Sequence, residues 1–245
     1  MVDDDLKGST GGGPDMTEEL GKIEKPSVES FSEERKLYLV PLLYGGQDAP
    51  QEYLEKYELY WQQVEEQIAN QELKIGKIRR VYHESLSVGG EDGLKVLERL
   101  NPRSYKITTE RTQTGATLEA TEEAELANEC MDWERCLLFG FLSQSAAGKV
   151  SELYRESAGK RYEHIARRID ETLEANEVAI LFIREGHHVQ FPQDIEVFMV
   201  APPALDTIHR WLRDRPLDEQ AEETKEPAEP AEPDNQNEPE KKEGT

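Results

Sequence analysis

Val178-Ala-Ile-Leu-Phe-Ile183, followed at once by Arg184-Glu-Gly-His-His188, decides the fold of this chain. Six consecutive apolar residues between polar runs read as a strand covered on both faces, the pattern of a parallel sheet flanked by helices. The polar group directly after it stands at the strand's carboxyl end, where open α/β sheets collect ligands.

Upstream, Ala147 to Ala175 reads as a long helix whose Val150, Tyr154, Tyr162, Ile165, Ile169 and Leu173 form an apolar stripe. A helix expected over Ala116 to Leu142, with a break at Ser143 to Gly148, completes an αα-hairpin. Downstream, Ile195 to Val200 reads as another strand. After Ala201-Pro-Pro203, a helix from Ala204 to Arg213 turns Leu205, Ile208, Trp211 and Leu212 inward.

Closer to the N-terminus, Lys36 to Tyr44 is strand-like, and its Pro41 suggests an edge position or a bulge. Asp48 is the expected cap of a helix running to about Asn70, with Tyr53, Tyr57, Trp61, Val64 and Ile68 on one face. Ile78 to Glu84 gives a further strand. Strand, helix and strand make a βαβ unit, which implies parallel pairing and a right-handed crossover. A short helix over Glu91 to Leu100 stops at Asn101-Pro102, and the Thr-rich residues 103 to 116 read as a loop or small hairpin. The expected fold class is therefore α/β, a mostly parallel sheet of about four strands with flanking helices and an αα-hairpin.

Charge separates the chain into a centre and two ends. Of the net −23, residues 1–34 carry −7 and residues 216–245 carry −8, and both are poor in large apolar side chains. Such segments cannot bury enough apolar surface to offset the entropy of ordering them, so disordered acidic termini are expected around a single α/β domain over residues 35–215. That centre holds thirty-one acids and twenty-three bases, an ordinary mildly acidic surface. Acidic ends repel phosphate backbones and anionic membranes, so the reading disfavours general nucleic-acid binding and predicts no membrane association. A local basic patch at Lys77, Arg79 and Arg80 is the one exception. The start Met-Val-Asp-Asp-Asp lacks the basic and apolar regions of a secretory signal, which points to a cytoplasmic protein. Cys130 and Cys136 are too few for a disulfide framework and sit in an acidic segment that raises thiol pKa. The acid-rich stretch 119–135 reads as a solvated helix face.

Three strand ends carry polar groups: Tyr44-Gly45-Gly46, Tyr82-His83-Glu84, and Glu185-Gly186-His187-His188. If the strands are parallel neighbours, these ends share one cleft. His83, Glu84, Glu185 and His187 are then candidate acid-base residues, with His83 and His187 as candidate ligands of a divalent metal. Tyr44, Gly45, Gly46, Tyr82 and His188 would line the cleft and touch a ligand. Adjacent residues of an extended segment point to opposite sides, which argues against His187 and His188 binding one ion. No Walker-type lysine, dinucleotide fingerprint, nucleophile elbow or His-Glu-x-x-His spacing is present. The sequence thus favours a non-enzymatic interaction or sensor protein that binds a protein partner or small-molecule effector at its strand-end cleft. A metal-assisted hydrolase built on the same His/Glu cluster is the alternative.

Overall fold

A computed structural model describes residues 34–46 and 48–214. The expectations for both acidic ends lie outside these residues. The protein is α/β, with one five-stranded sheet in the order β3-β2-β4-β1-β5 and every neighbouring pair parallel. In chain order the elements are β1 (Arg35–Pro41), α1 (Gln51–Ile75), β2 (Ile78–His83), α2 (Gly90–Leu100), α3 (Pro102–Gln113), β3 (Thr117–Leu118), α4 (Ala124–Phe139), α5 (Gln144–Thr172), β4 (Val178–Ile183), β5 (Ile195–Met199) and α6 (Pro203–Asp214).

The apolar run at 178–183 lies in the middle of the sheet, between β2 and β1, with all six residues buried. Its alternate side chains feed two cores. Ile180 and Phe182 join Tyr38, Val40 and Val81 beneath α1, α2, α3 and α6. Ala179, Leu181 and Ile183 join Leu37, Leu39 and Tyr82 beneath α5, with Cys130 of α4 at the margin. Period-two alternation on each strand thus makes one sheet serve both layers.

The connections follow from this layering. From β1 to β2 and from β2 to β3 the chain steps one way across the sheet, through helices on the first face. From β3 to β4 and from β4 to β5 it steps the other way, through α4–α5 and then a loop whose Val189 and Phe191 pack on the second face. All four crossovers therefore share one hand, as parallel connections require. At their carboxyl ends the adjacent strands β1 and β4 send the chain to opposite faces, and this divergence opens a crevice at the top of the sheet.

Several local expectations are corrected. Residues 103 to 116 are mostly helix α3: Asn101 accepts a hydrogen bond from the Ser104 amide at 3.1 Å, and Pro102 occupies the first turn. The Asn-Pro pair ends one helix and starts the next, and burial of Ser104, Ile107 and Thr108 overrides the modest propensity of the threonines. Helix α4 starts only at Ala124, because residues 117–118 pair with β2 as the fifth strand. The hairpin break falls at residues 140–143, where Ser143 caps α5. Asp48 does not cap α1, which begins at Gln51 after Pro50. Pro41 lies on an interior strand, not an edge, but is its last residue, where the ladder passes to the Leu42 amide and the Ile183 carbonyl, 2.9 Å apart.

Candidate functional site

The strand ends that carry polar groups do stand together. β2 pairs with β4 so that His83 lies opposite Phe182, and β4 pairs with β1 so that Ile183 lies opposite Pro41. Tyr44, Glu84 and Arg184 follow these strands on the same edge of the sheet. What the edge assembles is a chain of charge. Glu84, only 1% exposed, accepts a hydrogen bond from Arg184 Nε at 3.2 Å, and its second oxygen lies 3.8 Å from the Arg161 guanidinium. Arg161, also buried, donates through Nε to Glu122 at 2.6 Å and makes a second, shorter bond to the same carboxylate. Glu122 in turn accepts the Ser85 amide at 2.8 Å, and Arg184 reaches outward to Glu134 of α4 at 3.1 Å.

Burial by itself would lower the Arg161 pKa, but its bonds to Glu122 and the charge of Glu84 outweigh that and hold it above the usual arginine value. Arg184 shows the same balance, with Glu84 and Glu134 opposing desolvation. Charges out of water are tolerated only in such mutually bonded sets. At the edge of the set, partial burial and the neighbouring Glu84 carboxylate push the Tyr44 phenol up to about 12. Ser85, beside it, has a φ of 72°, the left-handed region that a serine rarely adopts. The backbone leaves β2 through a strained turn pinned by the Glu122 carboxylate.

Arg184 also belongs to the crevice at the divergence of β1 and β4. This hollow of about 340 Å³ has a floor of Leu39, Pro41, Ile183, Met199, Ala201 and Leu205, and a rim of Arg184, Glu185, Gly186 and His187. Glu185 is bonded to His209 of α6 at 2.7 Å. His187 accepts the Val189 amide at Nδ1, 3.3 Å away, and partial burial lowers its pKa. A separate surface hollow of about 500 Å³ between α1 and α3 is walled by ion-paired Glu58, Arg103, Glu65 and Lys106.

The remaining candidates are divided between layers. His83 is wholly buried on the α3 side, its Nδ1 bonded to the Glu84 carbonyl and its Nε2 3.0 Å from the Ser104 hydroxyl. Desolvation lowers its pKa to about 4, so the ring is neutral. Tyr82 points to the α5 side and bonds Thr172 at 2.7 Å. His188 is exposed, its ring edge-on to Tyr162 at 6.3 Å. At Gly45 a Cβ would come within 3.1 Å of the Tyr57 ring, so the chain passes close over α1 there. Among the described residues, no three His, Cys, Asp or Glu side chains are grouped so as to hold a metal ion.

Sequence reasoning missed Arg161, Glu122 and Glu134. The segment 119–135 is not a uniformly solvated face, because Glu122 is buried in the ion pair. A signal existed for Arg161: it falls between Ala158, Tyr162 and Ile165 in the inward stripe of α5, a position that demands a charged partner. The basic patch at 77–80 is partly neutralised, since Arg80 is bonded to Glu119, Glu174 and Glu177. No helix among the described residues is long and apolar enough to cross a membrane. Compared with known proteins, the chain matches no family model, no curated protein and no solved structure.

Proposed function

We propose that this protein is a sensor or interaction module without covalent chemistry, taking a small effector or a short segment of a protein partner into the crevice between β1, β4 and β5. The observation that carries this reading is the crevice itself: an apolar floor with a few convergent polar groups, at the point where adjacent parallel strands diverge. The polar groups are already committed to protein partners, Arg184 to Glu84 and Glu134, and Glu185 to His209. Groups so engaged orient a ligand rather than attack it. An arginine on the rim of an apolar hollow suits an aromatic or aliphatic body bearing an acid group.

The metal-assisted hydrolase on His83, Glu84, Glu185 and His187 draws support only from their common sheet edge. Of its donors His83 is spent, since both ring nitrogens have protein partners.

A panel of aromatic carboxylic acids, followed by saturation-transfer NMR, tests the first reading. Members of the panel should bind the wild type and lose their signal in an Ala201→Trp variant that fills the hollow. Binding that ignores this variant, or no binding across the panel, sinks the proposal. Thermal melting with zinc or manganese tests the second, which requires a metal-induced rise in Tm that His187→Ala abolishes.

A further inference from the structure

Arg184 stands on the rim of the crevice and at the same time bonds Glu134 of α4 at 3.1 Å. Within α4 only Cys130 is buried, so apart from its packing on α5 the helix is held by few contacts, and this ion pair is one of them. The charged set around Arg184 holds one carboxylate too many. Glu84, Glu122 and Glu134 share the two guanidiniums of Arg161 and Arg184, and the surplus shows as an acceptor left over: Glu84 Oε2 is buried without a hydrogen-bond partner, 3.8 Å from Arg161. The three acids are not held alike. The side chains of Glu122 and Glu84 are 0% and 2% exposed, that of Glu134 38%. Loss of a partner would strand a buried charge at Glu122 or Glu84, whereas Glu134 can turn into water at little cost.

We infer that Glu134 is an internal competitor for the acid group of the ligand: a carboxylate entering the crevice displaces Glu134 from Arg184 and frees α4 from the edge of the sheet. This rests on the crevice reading above and adds its output. With Glu134 in place, the arriving acid would set four carboxylates around two guanidiniums. With Glu134 released, the count returns to three. Arg184 keeps Glu84 through Nε and turns Nη1 and Nη2 to the ligand, Nη2 having no hydrogen-bond partner among the described residues. Those two nitrogens form the fork that a carboxylate accepts in bidentate fashion. A ligand shifts a conformation only through unequal affinity for its two states, and here the difference is the competitor itself. The coupling is therefore reciprocal: whatever removes Glu134 from Arg184 strengthens acid binding.

Hydrogen exchange followed by mass spectrometry on the full chain tests the inference, with phenylacetate, 4-hydroxyphenylacetate and indole-3-acetate as probes. Bound ligands ordinarily slow exchange, but here a probe that binds should speed exchange of the α4 amides by at least about threefold. In a Cys136→Ser background it should also open the buried Cys130 thiol to maleimide. Glu134→Gln should exchange at the faster rate without any probe and bind the acid about two- to fivefold tighter, the size of a partly exposed ion pair. Glu129→Gln removes the same charge from the same helix, at a side chain bonded to Trp133 and not to Arg184, and should do neither. Two results overturn this inference while the crevice reading stands: acid binding that Ala201→Trp abolishes but that leaves α4 exchange unchanged, or a Glu134→Gln variant that binds the acid no tighter than the wild type. Equal tightening by Glu129→Gln also overturns it, because net charge then accounts for the effect. If no probe binds, both readings fall together.

Discussion

His83 is a histidine whose whole environment favours the neutral ring. The folded protein holds its pKa near 4, against 6.5 for a free side chain, chiefly through desolvation. As pH falls below 6.5 the unfolded chain takes up a proton that the folded chain refuses until about pH 4, so stability is lost across that window. The whole effect amounts to about 3 kcal/mol. Urea unfolding between pH 7 and pH 4.5 should show this decline in the wild type, and His83→Gln should flatten it whatever its stability at pH 7. An unchanged pH slope in the variant would place the effect on other groups. That His83 is buried was not legible from Tyr82-His-Glu84, because alternation says which residues oppose each other and not which side is covered. The pairing of Arg161 with Glu122 was half legible. A lone arginine in an apolar stripe announces that a buried carboxylate must exist, but not that it comes from 39 positions away in sequence.

At the scale of elements, α2 packs closely both on β3 and on the turn that leads into it. A Cβ at Gly93 would lie 2.6 Å from the Val88 carbonyl oxygen and 3.1 Å from a Leu118 methyl, so the helix can sit at this depth only with glycine. Backbone cannot yield as a flexible side chain can. Gly93→Ala, although it raises intrinsic helix propensity, should therefore destabilise the fold by about 1–3 kcal/mol, the usual cost of overpacking. Chemical denaturation checks the sign: a gain in stability would mean that the turn before α2 and the Leu118 side chain both yield freely. This joint explains why β3 escaped sequence reading. Two residues carry no periodicity, and Thr117 and Leu118 become a strand only because β2 offers Arg80 and Val81 as partners. By contrast, β4 and the stripe of α5 were readable because their apolar residues repeat at the period of their own geometry.

For the molecule as a whole, the expected α/β class with a parallel sheet is what forms, while the strand order was beyond reach of local pattern. The order follows from two layers competing for one sheet, which no single segment records. Because β1, β2 and β4 send alternate side chains to opposite faces, neither layer can come apart without exposing residues of the other. Val64 of α1 packs in the first core and Ile165 of α5 in the second, both wholly buried. Val64→Ala should cost about 1–3 kcal/mol and Ile165→Ala about 2–5 kcal/mol, through lost transfer energy and the cavity left behind. The two sites lie in different cores on opposite faces of the sheet, so their costs should add within about 0.5 kcal/mol in the double variant. Each variant should move a single transition, seen alike by tryptophan fluorescence and far-ultraviolet circular dichroism. With Trp133 of α4 replaced by Phe, Trp61 and Trp211 report on the first layer, so the Ile165→Ala variant is the sharper case. If its fluorescence and dichroism midpoints separate, the α5 layer unfolds on its own and the shared sheet does not couple the two faces.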